Sequence, residues 1–96
     1  MELMEFESKV ANGFVIVNFS APWCSDCVRI EPVIKELSDE YNIIKINIDE
    51  HENISSHFAI RRIPTLVFFK DGKEIGERLV EPRSKVEILN AIKDIV

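Results

Sequence analysis

Cys24 and Cys27 are separated by two residues in Ala21-Pro22-Trp23-Cys24-Ser25-Asp26-Cys27, where an apolar, strand-like run gives way to a helical pattern. Two thiols at that spacing can close a small disulfide ring. A sulfur at the start of a helix also meets unpaired backbone N–H groups and the positive end of the helix dipole, both of which stabilise a thiolate. The pattern suits thiol–disulfide exchange. Cys24 is expected to attack a substrate disulfide, and Cys27, about one turn further on and less exposed, to attack the mixed disulfide and release the product. A lone C-x-x-C also fits half of a zinc site or two inert core thiols. Zinc takes about four ligands, usually with a second Cys or His pair at short spacing. The chain has no further cysteine, and His51 and His57 lie in a different segment, so no metal is expected. Inert core thiols would leave Trp23 and the strand-to-helix position without a purpose.

The elements that must position these thiols can be read from periodicity. Leu3 to Ala11 predicts a short amphipathic helix closed by Asn12-Gly13. Phe14-Val15-Ile16-Val17-Asn18-Phe19 predicts a central strand covered on both faces, with Asn18 as its one polar residue. A buried amide without partners costs about 1–3 kcal/mol. Cys27, Ile30, Ile34, Leu37 and Tyr41 mark the buried stripe of a helix ending near Ser38 to Glu40, with a kink expected at Pro32. Ile43 to Ile48 alternates as a second strand, and strand–helix–strand order implies a parallel pair with a right-handed crossover.

Asp49 is expected to begin the next helix, with Glu52 as its capping-box partner. His57 reads as a packing or surface residue and His51 as solvated. Leu66 to Phe69 predicts a strand that Asp71-Gly72 turns back into a charged edge strand from Lys73 to Val80. Ser84 and Glu87 form a capping box for a last helix whose Leu89, Ile92 and Val96 bury one side. The order is α-β-α-β-α-β-β-α.

Ninety-six residues make one domain, 1–96, able to bury about 60–65% of the surface of its unfolded chain. A hydrophobic content of 46% and a charged content of 30% are those of a globular protein. The net charge of −5 argues against a general nucleic-acid binder, which needs a basic face. Met1 to Glu7 lacks the basic start and long apolar core of a signal peptide, and no apolar run approaches membrane-spanning length. A cytoplasmic monomer without membrane attachment is therefore expected, in a compartment where a lone Cys pair is more often catalytic than structural.

Over nearly its whole length the sequence resembles the thioredoxin family. The resemblance rests on Val17-Asn18-Phe19-Ser20-Ala21-Pro22-Trp23-Cys24-Ser25-Asp26-Cys27, Pro32, Lys45-Ile46-Asn47-Ile48-Asp49, Ile60-Arg61-Arg62-Ile63-Pro64-Thr65-Leu66 and the Asp71-Gly72 turn. It implies an α/β thioredoxin fold: a mixed sheet of about four strands with helices on both faces, its N-terminal strand short or missing. It further implies that Pro64 is a cis-proline facing the cysteines. The implied activity is reduction of protein disulfides by the Cys24/Cys27 dithiol, with disulfide-containing client proteins, a flavin-dependent thioredoxin reductase as electron donor, and no cofactor in the chain itself. The alternative is a redox-regulated or non-catalytic binding module on the same fold.

Three positions depart from the family pattern: Ser25-Asp26 replaces Gly-Pro, Asn18 replaces a buried aspartate, and Glu81 replaces a glycine. Asn18 cannot titrate, so Asp26 or water is expected to carry the Cys27 proton, and Lys45 beside Asn18 is expected to lose its ion partner. The resemblance places substrate contacts at Trp23, Arg62, Ile63, Pro64 and Glu81, with Arg62 and Glu81 expected to put opposite charges on different sides of the groove.

Overall fold

The computed structural model describes residues 1–95; the expectation for Val96 lies outside them. Strand β1 (Phe14–Ser20) is the axis of the sheet. It pairs in parallel with β2 (Asn42–Asn47) and antiparallel with β3 (Thr65–Lys70), with Asn18 opposite Lys45 on one side and Leu66 on the other. Helix α1 (Leu3–Lys9) leads directly into β1, and no strand precedes it among the described residues.

Alternation along the strands divides the core in two. Val15, Val17 and Phe19 of β1, Ile46 of β2, and Val67 and Phe69 of β3 face α1 and α3 (Glu52–His57), meeting Phe6, Val10 and Ile54. Ile16, Leu66 and Phe68 point the opposite way, onto Ile30, Ile34 and Leu37 of α2 (Ser25–Leu37) and Ile88 and Ile92 of α4 (Lys85–Ile95). Phe6, Phe58 and Phe69 lock the first layer, with ring centroids 5.3–5.8 Å apart. These two layers hold β1 from both faces, so its C-terminal end, where the cysteines follow, has a fixed position. Helix α2 remains one element through Pro32.

The turn after β3 forms as expected. Asp71 and Gly72 both have positive φ, at 49° and 87°, as a two-residue hairpin loop requires. Asp71 Oδ1 also accepts the Gly13 N–H at 2.8 Å, fastening the hairpin to the start of β1.

The returning strand is different from the expected one. It is divided into β4 (Lys73–Glu74) and β5 (Leu79–Val80), both on β3, so the sheet has five strands. The break falls at Gly76, whose φ of +67° leaves the strand region. Arg78, expected on an exposed edge, is instead half-buried; it holds Glu74 at 2.8 and 3.1 Å and donates to Phe58 O at 2.6 Å.

Helix α3 also starts later than expected. The Asn47 side-chain oxygen accepts the N–H groups of Asp49 and Glu50 at 2.9 and 3.4 Å, holding Asp49 in a turn. Such local side-chain bonding competes with helix formation. His51 takes the N-cap position without a side-chain cap, and its Nδ1 lies 3.0 Å from the Met1 amine rather than in solvent. His57 packs edge-on against Phe58. At α4, Ser84 Oγ accepts the Glu87 N–H at 3.2 Å, but Glu87 returns its bond to Arg83 N–H at 3.0 Å, one residue earlier than a standard capping box.

A Cβ at Gly76 would stand 2.6 Å from Ile95 Cγ2. Gly76→Ala is expected to destabilise the protein by about 2–4 kcal/mol, from the left-handed backbone and the overlap together. A lowered urea midpoint at unchanged m-value is the check.

Candidate active site

The chain leaves β1 at Ser20, turns through Ala21 to Trp23, and enters α2 with Cys24 as its N-cap residue. Cys24 has extended dihedrals (φ −89°, ψ 113°), and its Sγ accepts the Cys27 N–H at 3.2 Å. The sulfur thus fills the role that a Ser, Thr, Asp or Asn oxygen usually has at a helix start. As a thiolate it is a better acceptor there, and the helix dipole favours its charge. Both thiols are free, and Cys24 at 9% is the more exposed, against 4% for Cys27.

Across from Cys24 lies the Ile63–Pro64 loop, whose peptide bond is cis. The Cys24 thiol points to Ile63 O at 3.6 Å. The Pro64 carbonyl accepts the Glu81 N–H at 2.7 Å, tying the loop before α4 to the loop beside the cysteines. Glu81 has a φ of +54°, a conformation that suits a glycine. Its carboxylate lies 3.9 Å from Arg62 Nη1. Arg62 and Glu81, expected on different sides of the groove, therefore form one neutralised pair on the same rim, because the Pro64–Glu81 bond draws their backbones together.

Trp23 is two-thirds exposed, and its Nε1–H donates to Asp49 Oδ2 at 2.7 Å. This role of Asp49, missed by sequence reasoning, fixes the ring beside Cys24. The available signal was its position just past β2, since the ends of adjacent parallel strands open on the same side of the sheet.

Burial pushes the Cys27 thiol up from 9.0 to about 12, helped by the hydrogen bond with Cys24 and by the charges of Cys24 and Asp26, against a lowering contact with the Ala21 backbone. Asp26 is held by Arg29 Nη1 at 2.8 Å. Lys45 does not lose its ion partner: its Nζ lies 3.3 Å from Glu31 Oε2. Asn18 Oδ1 and Ser20 Oγ are buried and have no hydrogen-bond partner among the described residues. Among those residues no cluster of three or more His, Cys, Asp or Glu could hold a metal ion, and no helix is long and apolar enough to cross a membrane.

A helix-capping thiol, a second thiol one turn behind it with a raised pKa, and an apolar loop closing over the first define a dithiol–disulfide exchange centre. The Thioredoxin family model matches residues 1–94. A thioredoxin of Chlamydia caviae is 37% identical over 90 residues, covering 91% of this chain and 87% of that one. One of Staphylococcus aureus is 39% identical over 77 residues, covering 76% and 74%. The solved structure of a thioredoxin mutant from Halobacterium salinarum superposes with a TM-score of 0.87 at 29% identity, covering 98% of this chain and 85% of that one. The chain belongs to the thioredoxin family, and it is a thiol–disulfide oxidoreductase with protein-disulfide reductase activity.

Two outcomes follow from this geometry. The folded Cys27 thiol binds its proton more tightly than the unfolded one, so its contribution to stability is intact below about pH 9 and is lost as pH rises toward 12. The urea midpoint of the reduced protein is expected to fall relative to that of the oxidised protein as pH rises through 9, and reduced Cys27→Ala should lack this extra fall. Separately, Glu81→Gly should raise stability by about 0.5–1 kcal/mol by relieving the left-handed backbone, the exposed Arg62 pair contributing little.

Proposed function

We propose that this chain acts as a single-domain, monomeric, cytoplasmic reductase of disulfides in client proteins, recharged by a flavin-dependent thioredoxin reductase. The observation that carries the reading is the Cys24 sulfur at the N-cap of α2, accepting the Cys27 N–H at 3.2 Å beside the Ile63 carbonyl. Cys24 as thiolate attacks one sulfur of the client disulfide; the client S–S bond breaks, its other sulfur leaves as a thiolate that takes a proton from solvent, and a Cys24–client disulfide forms. Cys27, deprotonated, then attacks Cys24 Sγ. The Cys24–Cys27 bond forms, the second client sulfur leaves as a thiolate and takes a proton, and two electrons have passed to the client.

The raised Cys27 pKa supports this order of events. Burial, its largest cause, persists, but the charge on Cys24 ends once Cys24 is joined to a client, so Cys27 becomes easier to ionise than in the free dithiol. In this reading Trp23, Arg62, Ile63, Pro64 and Glu81 form the client surface. The exposed Trp23 ring and the Ile63–Pro64 loop offer apolar contact, while the Arg62–Glu81 pair on the rim favours partners whose charges can replace it. Asp26, Asn18 and Lys45 bear on Cys27: Asp26 as a nearby charge, Asn18 as an uncharged buried amide, and Lys45 through Glu31.

The test is turnover and trapping. The wild-type chain with dithiothreitol should precipitate insulin by reducing its disulfides well above the background rate. Cys24→Ser should lower that rate to background, and Cys27→Ser should accumulate a mixed disulfide visible by mass spectrometry. No rate above background in the wild type would instead favour a binding module that keeps the fold.

A further inference from the structure

Helix α2 carries two carboxylates near the thiols, and the structure separates their surroundings. Asp26 is paired with Arg29 and lines a small recess with Ile30, Glu81 and Pro82, on the side toward α4. Glu31 follows Cys27 by four residues, a spacing that puts their Cβ atoms about 5–6 Å apart on one helix face. Cys27 and Glu31 line the same cleft, of about 230 Å³, together with Ser20, Ala21, Pro22, Val28 and Lys45. Its charged or titratable lining groups are Cys27 and Glu31 from α2 and Lys45 from β2; the strand end and loop on the far side bring none.

Ser20, at the end of β1, is a polar member of the cleft lining. Ser20 is 2% exposed, and its Oγ has no hydrogen-bond partner among the described residues. Asn18 Oδ1, two residues back on the same face of β1, is likewise unpartnered. Buried groups of this kind are normally satisfied by protein or ordered water. A water occupies about 30 Å³ of liquid volume, so the cleft has room for several.

We propose that Glu31 is the proton acceptor for Cys27, reached through water in the cleft that the two residues line, with Lys45 positioning the carboxylate. The proposal rests on the exchange reaction above and supplies its missing proton path. As Cys27 attacks the mixed disulfide, its proton passes through water to the Glu31 carboxylate. The Cys24–Cys27 bond forms, the Cys24–client bond breaks, and the departing client thiolate is protonated by Glu31 or solvent, returning Glu31 to its charged form. The high pKa of the Cys27 thiol explains why a nearby base helps at neutral pH. The other carboxylate, Asp26, whose charge also reaches Cys27, is engaged by Arg29 at 2.8 Å, and Asn18 has no titratable group.

The experiment isolates the second step. Reduced protein is treated with dithiobis(nitrobenzoate) to load thionitrobenzoate on Cys24, and release of the second equivalent is followed in single turnover across a pH series. A concerted base gives the wild type a pH-independent limb in the neutral range. Glu31→Gln should lose that limb, releasing at least about tenfold more slowly at neutral pH. Its rate should climb about tenfold per pH unit as hydroxide replaces the carboxylate. Glu31→Asp should recover part of the limb, and the first step at Cys24 should keep its rate in both variants.

Glu31→Gln with Lys45→Met removes the ammonium left unpaired and should stay slow; recovery of the wild-type rate there would show a charge effect and overturn the proposal. Retention of the limb in Glu31→Gln, or its loss in Asp26→Asn instead, would also overturn it while leaving the exchange reaction standing. Failure of the wild type to release a second equivalent would overturn both.

Discussion

A helix that uses a sulfur atom as its N-terminal acceptor is the constraint on which the rest of this structure depends. The Cys27 N–H needs a partner, and the Cys24 sulfur supplies it at 3.2 Å. The same contact fixes both thiols relative to each other and favours charge on the outer one, while burial raises the pKa of the inner one. For the sulfur to sit there, β1 must end at Ser20 and the chain must turn within Ala21 to Trp23. That requires β1 to be held from both faces, which is what the two apolar layers achieve. A local hydrogen bond of about 1 kcal/mol net could not hold this arrangement without the core behind it.

The two faces of β1 divide holding from acting. One stays apolar to its end, with Val15, Val17 and Phe19 buried against α1 and α3. The other begins with Ile16 in the core and turns polar at Asn18 and Ser20, the second of which lines the cleft with Cys27. The strand register carries this polarity across to Lys45 on β2, and Lys45 carries it back to Glu31 on α2. Each member of that path is only one strand or one helical turn from the next.

The features legible in the sequence were those governed by neighbours close in the chain. The apolar run of β1, the stripe of α2 and the Asp71-Gly72 turn carry their own periodicity or turn chemistry, and the C-x-x-C spacing declares its chemistry directly. What could not be read depended on partners remote in the chain or on local competition. Asp49 looks like a helix start until Asn47 is seen to hold it in a turn and Trp23 to engage its carboxylate. Arg62 and Glu81 become neighbours only through the Pro64–Glu81 backbone bond. The edge strand looked continuous because its composition does not reveal that Ile95 lies against Gly76.

That divided edge bears on how copies of the chain meet one another. A long flat strand at a sheet margin offers a ladder of free N–H and C=O groups on which another molecule can add, the first step toward aggregation. Here the margin beyond β3 consists of two strands of two residues each, separated by a left-handed glycine. Each is too short to template a stable pairing, and the bend between them prevents one incoming strand from engaging both. The charged Lys73 and Glu74 at its outer end add a desolvation cost to any such approach. The irregularity at Gly76 thus protects this margin of the sheet against the addition of an intermolecular strand.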